Sequence, residues 1–497
     1  MARDRNYHDF VTPAVQKTPV QAATVVQLPT ADGNSGTPTI APLTRHERPC
    51  TDLGNAEQFA RQHAGRVLHC AAWANSGPWL VWDGKRWKRD TMNQTLALMQ
   101  ETVRGIWQEA ANTTDPVMRE ALGKWAIRSE SRQAHTNALA LAAPMLAINV
   151  DELDTDPWLL NCTNGTVDLH TGELRPYDPA DRITCLFNAG WDPQAKAPRW
   201  DAFIERVQPD SEVRAYVQRT LGIGLVGRPL ARVLPIFHGT GDNGKTVVFE
   251  VAKALFGDYA LEVPPHLLMR KRETGGATPD LASLEGKRLV IAAETQGGQR
   301  LNEAGIKAMT GGDTIAARPL YEPSRNFRPS HTLIMATNEP PAVPESGQAI
   351  WNRLRLVPWS VVIPKAEQIV DLAAQLSANE AAGISAWLWR GLEDFQARGQ
   401  QLAEPEVVMV ATQEYQAAED TVGQWMAECC VRDAAAVLPA SELYGSYCDW
   451  CGRTKAHPVT RTMFGRKLAA AGLEKGEYGG RSRWQGVRLV GDDRRAG

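Results

Sequence analysis

A glycine-rich segment at residues 239–246 constrains this chain more than any other feature of its sequence. It reads GTGDNGKT and fits the pattern GxxxxGKT, between an apolar run at 232–238 and a helical pattern at 246–255. Glycines let main-chain N–H groups curl around a phosphate at a helix N-terminus, where the helix dipole favours an anion. The segment therefore predicts a nucleotide-phosphate loop between a strand and a helix. A glycine-rich turn that binds nothing is the less favoured interpretation.

Each position of this loop has an expected role in binding ATP and Mg²⁺. Lys245 is expected to reach the β- and γ-phosphates as a point charge, and the Thr246 hydroxyl is expected to ligate Mg²⁺. The other six positions are expected to hold the phosphates through main-chain groups. They are Gly239, Thr240, Gly241, Asp242, Asn243 and Gly244.

Two later strand-like runs each lead to a polar side chain of the kind that ATP hydrolysis needs. The run at 288–293 leads to Glu294, which we interpret as the catalytic base and a second Mg²⁺ ligand, although the usual pair of adjacent acids is missing. The run at 331–336 leads to Asn338, which is expected to orient the attacking water. A surface glutamate at a strand end and an asparagine that only serves a turn are the alternatives. The alternating strands and helices predict an α/β fold with a helix-flanked sheet.

Length and composition set the wider organisation. A chain of 497 residues is long enough for about three domains, and no apolar run approaches the roughly 18 residues that a membrane span needs. No apolar segment of secretory type follows the start of the chain, so we expect a cytoplasmic protein without a membrane partner. The predicted parts are a disordered leader at 1–54, an α/β module at 55–205, an ATPase domain at 206–400 and a small basic domain at 420–497.

Local patterns predict several elements within these parts. Helices are expected at 93–111, 116–141, 211–225 and 369–395. Asp83-Gly84, Asn164-Gly165 and Thr171-Gly172 are expected to form tight turns between short strands.

The loop, the acidic strand and the asparagine strand, in this order, resemble the superfamily 3 helicases. The closest likeness is to the helicase part of phage and plasmid primase-helicases and of the poxvirus primase-helicase group. Residues 303–318 look like the family's motif that leads into its DNA-contacting hairpin. The segments LLNCTNGTVDLHTG and WLVWDGKRW are similar to the region that precedes the helicase in these proteins.

This resemblance implies an AAA+-like P-loop core that assembles into a hexameric ring around single-stranded DNA. ATP would then lie between neighbouring subunits, and translocation would run toward the 3′ end. Arg353 matches the family's finger position, which would stabilise charge on the γ-phosphoryl group of the neighbour. Arg355 is the fallback for this role. The alternative is that both arginines face solvent on an amphipathic strand.

The resemblance also implies a pore hairpin at about 313–329. Its expected DNA contacts are Arg318, Tyr321, Arg325 and Arg328, because arginine supplies phosphate charge and tyrosine a stacking face. Arg325 and Arg328 rank ahead of Arg318, which has the alternative role of holding the base of the hairpin.

The last part of the chain has its own basic character. Residues 439–497 hold eleven Lys or Arg against six Asp or Glu. A helical pattern at 462–473 is followed by a hairpin pattern at 478–489, with Arg481 and Arg483 near its turn. A helix followed by a basic hairpin resembles a winged helix, which predicts contacts with duplex DNA. A protein-binding module of the same shape is the alternative.

These patterns together favour an ATP-dependent replicative DNA helicase of a phage, plasmid or mobile element, acting on single-stranded and forked DNA. Only the leader stands where relatives carry a primase domain, so we expect no primer synthesis and consider a separate primase a candidate partner. One alternative is an AAA+ initiator or loader that binds DNA without unwinding it. A structural origin-binding protein with a degenerate ATP site is the other, because the second acid is missing.

Overall fold

The computed structural model describes residues 49–73, 77–270, 278–293, 300–319, 324–343, 348–454, 456–478 and 481–490. Most of the predicted leader, up to residue 48, lies outside these ranges. The first helix begins at Asp52, two residues before the predicted end of the leader, because the Thr51 side chain accepts a hydrogen bond from the Gly54 amide and caps it. Among the described helices, none is long and apolar enough to cross a membrane.

The first part of the chain combines four helices with two small antiparallel sheets. The predicted turn at Asp83-Gly84 is confirmed, since it joins two paired strands. The single helix expected at 116–141 is wrong: it is two helices, because the Ser131 hydroxyl accepts from the Ala134 amide and starts a new one. The elements are α1 (Asp52–Gln62), β1 (Val67–His69), β2 (Trp79–Trp82), β3 (Trp87–Arg89), α2 (Gln94–Asn112), α3 (Pro116–Ser129), α4 (Arg132–Ala142), β4 (Leu159–Cys162), β5 (Gly165–Asp168) and β6 (Glu173–Arg175).

The central part is a mixed α/β structure built on a parallel five-stranded sheet. Its strand order is β13-β7-β12-β9-β8. Its elements are α5 (Pro198–Val207), α6 (Ser211–Gly222), β7 (Leu234–His238), α7 (Lys245–Phe256), β8 (Ala260–Val263), α8 (Pro279–Ala282), β9 (Leu289–Ala293), α9 (Glu303–Gly311), β10 (Ile315–Ala317), β11 (Arg325–Phe327), β12 (Thr332–Thr337), α10 (Gln348–Trp351), β13 (Leu354–Pro358), α11 (Leu372–Asn379), α12 (Ala381–Ala397) and α13 (Glu406–Glu419).

Both faces of this sheet are buried, as expected for parallel strands covered by helices. Along β9, Leu289 and Ile291 pack into one core while Val290 and Ala292 pack into the other. The first of these cores is one cluster whose members come from Trp158 to Val408, on both sides of residue 205. The domain boundary expected at residue 205 therefore falls inside one continuous core.

The helix expected at 369–395 is interrupted at Glu380. Its carboxylate accepts hydrogen bonds from the main-chain amides of Arg199, at 3.1 Å, and Trp200, at 2.9 Å. Glu380 thereby caps the start of α5 and separates α11 from α12, a contact between residues about 180 positions apart that no local pattern shows.

The last part is a small domain with its own core around Trp425, Tyr447, Phe464 and Trp484. Its elements alternate as helix, strand, helix, helix, strand, strand, and the three strands form one antiparallel sheet in the order β14-β16-β15. The hairpin expected at 478–489 is present, but its first strand starts at Glu474. The elements are α14 (Thr421–Cys429), β14 (Cys430–Pro439), α15 (Ala440–Thr454), α16 (Arg461–Ala470), β15 (Glu474–Tyr478) and β16 (Arg481–Leu489).

Helices α6 and α12 cross in direct backbone contact. A Cβ atom at Gly391 would lie 2.3 Å from the carbonyl oxygen of Gln218, and one at Gly222 would lie 2.5 Å from that of Leu388. The two glycines therefore set the distance between these helices.

We expect Gly391→Ala to destabilise the protein by about 1–3 kcal/mol, because the helices must separate to admit the methyl group. Gly445→Ala on the exposed face of α15 is the matched control, since a Cβ there meets nothing within 4 Å. It should stabilise its domain by up to about 1 kcal/mol through helix propensity. Differential scanning calorimetry measures both effects. An unfolding temperature of Gly391→Ala at or above that of the wild type would contradict the direct backbone contact between α6 and α12.

Candidate functional site

The loop at 239–244 is curved by three residues with positive φ. The φ angles are +99° at Gly241, +48° at Asp242 and +80° at Gly244. A Cβ at Gly244 would lie 2.6 Å from the Val207 side chain, so this position needs glycine for space as well as for conformation. Within the described structure, the amides of these three residues donate no hydrogen bond. Amides in such a concave turn form a binding site for an anion.

Two reciprocal hydrogen bonds tie the loop to the end of β13. The Asn243 side chain donates to the Trp359 carbonyl oxygen at 3.1 Å, and the Trp359 indole donates to the Asn243 carbonyl oxygen at 2.5 Å. The Ile363 amide also donates to the Asp242 carbonyl oxygen at 2.7 Å. Asn243 is only a variable position in the motif, so the sequence did not indicate this role.

Lys245 and Asn338 are in contact at the mouth of the loop. The Lys245 ammonium donates to the Gly239 carbonyl oxygen at 2.5 Å and to Asn338 Oδ1 at 3.3 Å. Burial lowers the pKa of Lys245 to about 8, because its surroundings disfavour the charged form. The two hydrogen-bond partners of this ammonium group are neutral, so an incoming anion would provide a negatively charged partner for it.

Strand order brings the predicted catalytic positions to one edge of the sheet. Strand β12 lies between β7 and β9, and Thr337 pairs with His238 while Ala336 pairs with Ala293. The carboxyl ends of parallel strands are where ligands bind in such sheets. Glu294 follows Ala293 directly but lies outside the described residues.

A cavity of about 1050 Å³ opens over this edge. The exposed Thr246, at the start of α7, lines it together with the loop. Its other wall holds Arg199, Phe203 and Arg206 from α5, which the sequence did not indicate because no motif connects that helix to the loop. Free amides, an ammonium group and a hydroxyl beside a cavity of this size fit a polyphosphate with a bound cation.

The two candidate finger arginines lie at the opposite edge of the sheet. Leu354 pairs with Leu234, so Arg353 stands where β7 begins, five residues and about 16 Å from the loop. Its guanidinium donates to the Thr310 hydroxyl at 3.0 Å. Arg355 instead forms an ion pair with Glu404 at 2.5 Å.

The expected DNA-contacting hairpin is present as β10 paired with β11. Arg318, which follows β10 on the turn side, and Arg328, which follows β11 at the base of the hairpin, are both exposed. Arg325 is half-buried in an ion pair with Glu285 at 2.6 Å. Tyr321 lies outside the described residues.

In the C-terminal domain, a cavity of about 960 Å³ lies between the hairpin and the last two helices. Arg483 lines it, and Arg481 stands at the start of β16 with its side chain outside the described set. The sequence pattern did not single out three further cations that line this cavity: Arg461, Arg466 and Lys475.

Comparison with known families finds two matching segments. Residues 56–209 match the family described as D5 N terminal like, and residues 237–353 match a family of unknown function, DUF5906. The first matching segment covers the N-terminal part of the chain through β4–β6 and α5. The second begins at Phe237 in β7, just before the loop, and ends at Arg353.

Several viral proteins are similar over part of the chain. The L207/L206 protein of Acanthamoeba polyphaga mimivirus, which carries a provisional helicase name, is 30% identical over 42% of this chain and 22% of its own length. The 022R protein of Frog virus 3, also provisionally named a helicase, is 27% identical over 53% of this chain and 29% of its own. The C962R protein of African swine fever virus (Warthog isolate), provisionally named a primase, is 22% identical over 61% and 34%.

The chain thus spans about a fifth to a third of the length of these relatives. The apo structure of the NrS-1 C-terminal region aligns with 60% of this chain and 78% of its own, at 14% identity and a TM-score of 0.35. The family match and the viral relatives support a relationship to the viral primase-helicases.

Proposed function

We propose that the protein is an ATP-dependent DNA helicase of a replicating genetic element that works as a ring on single-stranded DNA. One observation carries this proposal: a curved loop with free amides lies at the carboxyl edge of a parallel sheet, where Lys245 and Asn338 are in contact. The similarity to helicase-named and primase-named viral proteins supports it.

In this proposal the cavity binds ATP with Mg²⁺ and the sheet is an AAA+-like P-loop core. The amides of the loop and Lys245 hold the phosphates, and Thr246 with Glu294 holds Mg²⁺. Glu294 activates a water that Asn338 orients. The apolar side chains of Phe203 and Leu372, in the wall of the cavity, provide a surface for the base.

A neighbouring copy completes the site. Arg353 is too far from the loop of its own subunit to reach a γ-phosphate there, and its partner Thr310 is neutral, so it is the better candidate for the finger than the ion-paired Arg355. Three exposed apolar side chains lie beside the cavity: Val362 at 59%, Ile369 at 55% and Val370 at 80% exposure. An apolar rim of this kind favours burial against another subunit.

The DNA contacts follow from the exposed cations. In the ring, the hairpin β10–β11 faces the strand, with Arg318 and Arg328 available for phosphates. The C-terminal domain, whose order of elements is that of a winged helix, adds duplex contacts through Arg483 and α16. A separate primase is a candidate partner.

One observation favours the alternative of a loader or initiator that binds DNA without unwinding it. Arg325, which ranks together with Arg328 ahead of Arg318 as an expected DNA contact, is engaged by Glu285 rather than exposed. If Arg318→Ala with Arg328→Ala left the stimulation of ATP hydrolysis by single-stranded DNA intact, the loader would be favoured.

We expect the wild type to displace a strand from a forked duplex with ATP and Mg²⁺. Lys245→Ala should lower ATP turnover by at least about 100-fold, because it removes the ammonium group that hydrogen-bonds to the loop. Glu294→Gln should bind ATP but not hydrolyse it. Equal, near-background turnover in the wild type and Lys245→Ala would instead identify a protein with a degenerate ATP site.

ATP binding should take up protons above pH 7. Free Lys245 has its pKa lowered to about 8 by burial, and the triphosphate raises it again, so at pH 8 about half a proton should enter with each ATP. The affinity of the protein for ATP should consequently fall as the pH rises above 8. Calorimetry in buffers of different ionisation enthalpy measures the uptake. Lys245→Arg, whose side chain stays charged, should show none of it.

Arg353→Ala should lower ATP turnover by about 10³-fold or more while ATP binding persists. Because the finger acts on the neighbour, mixing Arg353→Ala with Lys245→Ala should restore part of the activity that each lacks alone. The control is the same mixing experiment with Arg355→Ala in place of Arg353→Ala. A mixture no more active than its components would show that the arginine does not act between subunits.

A further inference from the structure

A second large cavity lies at the edge of the sheet away from the nucleotide loop. It measures about 1450 Å³ and separates the N-terminal hairpin β2–β3 from the central domain. Arg232, Lys287 and Ser330, which stand just before β7, β9 and β12, form one wall. Lys88 and Arg89 of β3 form part of the other. We call this cavity the basic groove.

Most carboxylates of the basic groove are already neutralised within it. Asp258 and Glu285 each pair with an arginine of the groove. Asp154 accepts hydrogen bonds from the amide and hydroxyl of Thr184, and burial raises its pKa. Of the four carboxylates that line the groove among the described residues, Asp151 alone is exposed to solvent.

The cations of the groove outnumber these carboxylates. Four of them are exposed, and none forms an ion pair with a described residue: Lys88, Arg228, Arg232 and Arg328. The guanidinium of Arg228 lies over the Trp158 ring at 5.2 Å, which positions its charge. Four cations from three separate segments of the chain, facing one exposed carboxylate, create a positive potential that attracts a polyanion.

We propose that the basic groove binds the sugar-phosphate backbone of a single DNA strand outside the ATP site. The inference rests on the proposed function, in which the protein acts on single-stranded DNA. It adds a path for that DNA strand between the N-terminal module and the central domain. Arg328 stands at the base of the hairpin β10–β11, so the groove continues directly from that hairpin. Trp73 and Trp87 line the groove but are 8% and 2% exposed, so they offer little stacking surface and binding should be independent of sequence.

The number of phosphates held by the groove can be measured from salt dependence. Fluorescence anisotropy with labelled oligo(dT) over a series of salt concentrations gives the slope of log K against log[salt]. Arg228→Gln with Arg232→Gln should reduce the magnitude of this slope by about 1.4, since each phosphate contact on a single strand contributes about 0.7. Arg104→Gln with Arg132→Gln, two exposed arginines on α2 and α4 away from the groove, is the matched control and should leave the slope unchanged.

A photo-crosslink locates the strand directly. Benzoylphenylalanine in place of Thr155, an exposed residue of the groove, should crosslink to oligo(dT), whereas the same group at Thr136, exposed on α4, should not. ATP turnover without DNA should equal wild type in the Arg228→Gln, Arg232→Gln variant, so loss of the groove is distinguishable from loss of the motor.

An unchanged slope with no crosslink at residue 155, in a protein that binds oligo(dT) and hydrolyses ATP, would overturn the groove alone. A variant that keeps the wild-type slope for oligo(dT) but loses affinity for poly-glutamate would assign the groove to an acidic polypeptide instead. A wild type that binds no oligo(dT) would overturn both the groove and the proposed function.

Discussion

The curvature of the loop at 239–244 depends on its hydrogen bonds to the segment that follows β13. Within the described structure, the amides of Gly241, Asp242 and Gly244 donate no hydrogen bond, so they contribute nothing that would hold the turn in shape. The reciprocal contacts between Asn243 and Trp359 hold this turn open by fixing its main chain from outside. Trp359 in turn packs on Phe237 of β7, with ring centroids 5.4 Å apart, so the sheet itself positions the loop.

The sheet separates two sets of chemical groups. Its carboxyl edge holds the loop, Lys245 and Asn338, and its amino edge holds Arg353 and the basic groove. A single copy therefore presents its phosphate-binding loop on one edge and Arg353 on the other. The proposed action of Arg353 on a neighbouring loop would need head-to-tail contact between copies, which is the kind of contact that closes into rings.

The parts of the site that lie in one short segment could be predicted from the sequence. The loop, the strand before it and the helix after it appear within two residues of their expected positions, and Asn338 meets Lys245 as its strand end indicated. Apolar runs bounded by glycine or polar residues are local signals, and the parallel sheet follows from their alternation with helices.

What could not be predicted depends on contacts between distant residues. The break at Glu380 comes from its hydrogen bonds to α5, and the wall formed by Phe203 and Arg206 comes from packing of that helix beside the loop. The engagement of Arg325 by Glu285 likewise joins strand β11 to the turn that follows α8. Charge counts alone did not show the basic groove, because its cations are scattered from Lys88 to Arg328 and the net charge of the chain is -3.

Helix α13 has a mechanical consequence for the C-terminal domain. The Thr412 hydroxyl accepts from the Leu356 amide of β13 at 2.9 Å, and the Tyr415 hydroxyl bonds to the Pro341 carbonyl just beyond β12. Strand β13, which follows Arg353, and the segment after β12, which contains Asn338, are thus both hydrogen-bonded to α13. The C-terminal domain follows directly after this helix. A displacement of that domain would therefore be transmitted through α13 to two strands of the sheet at once.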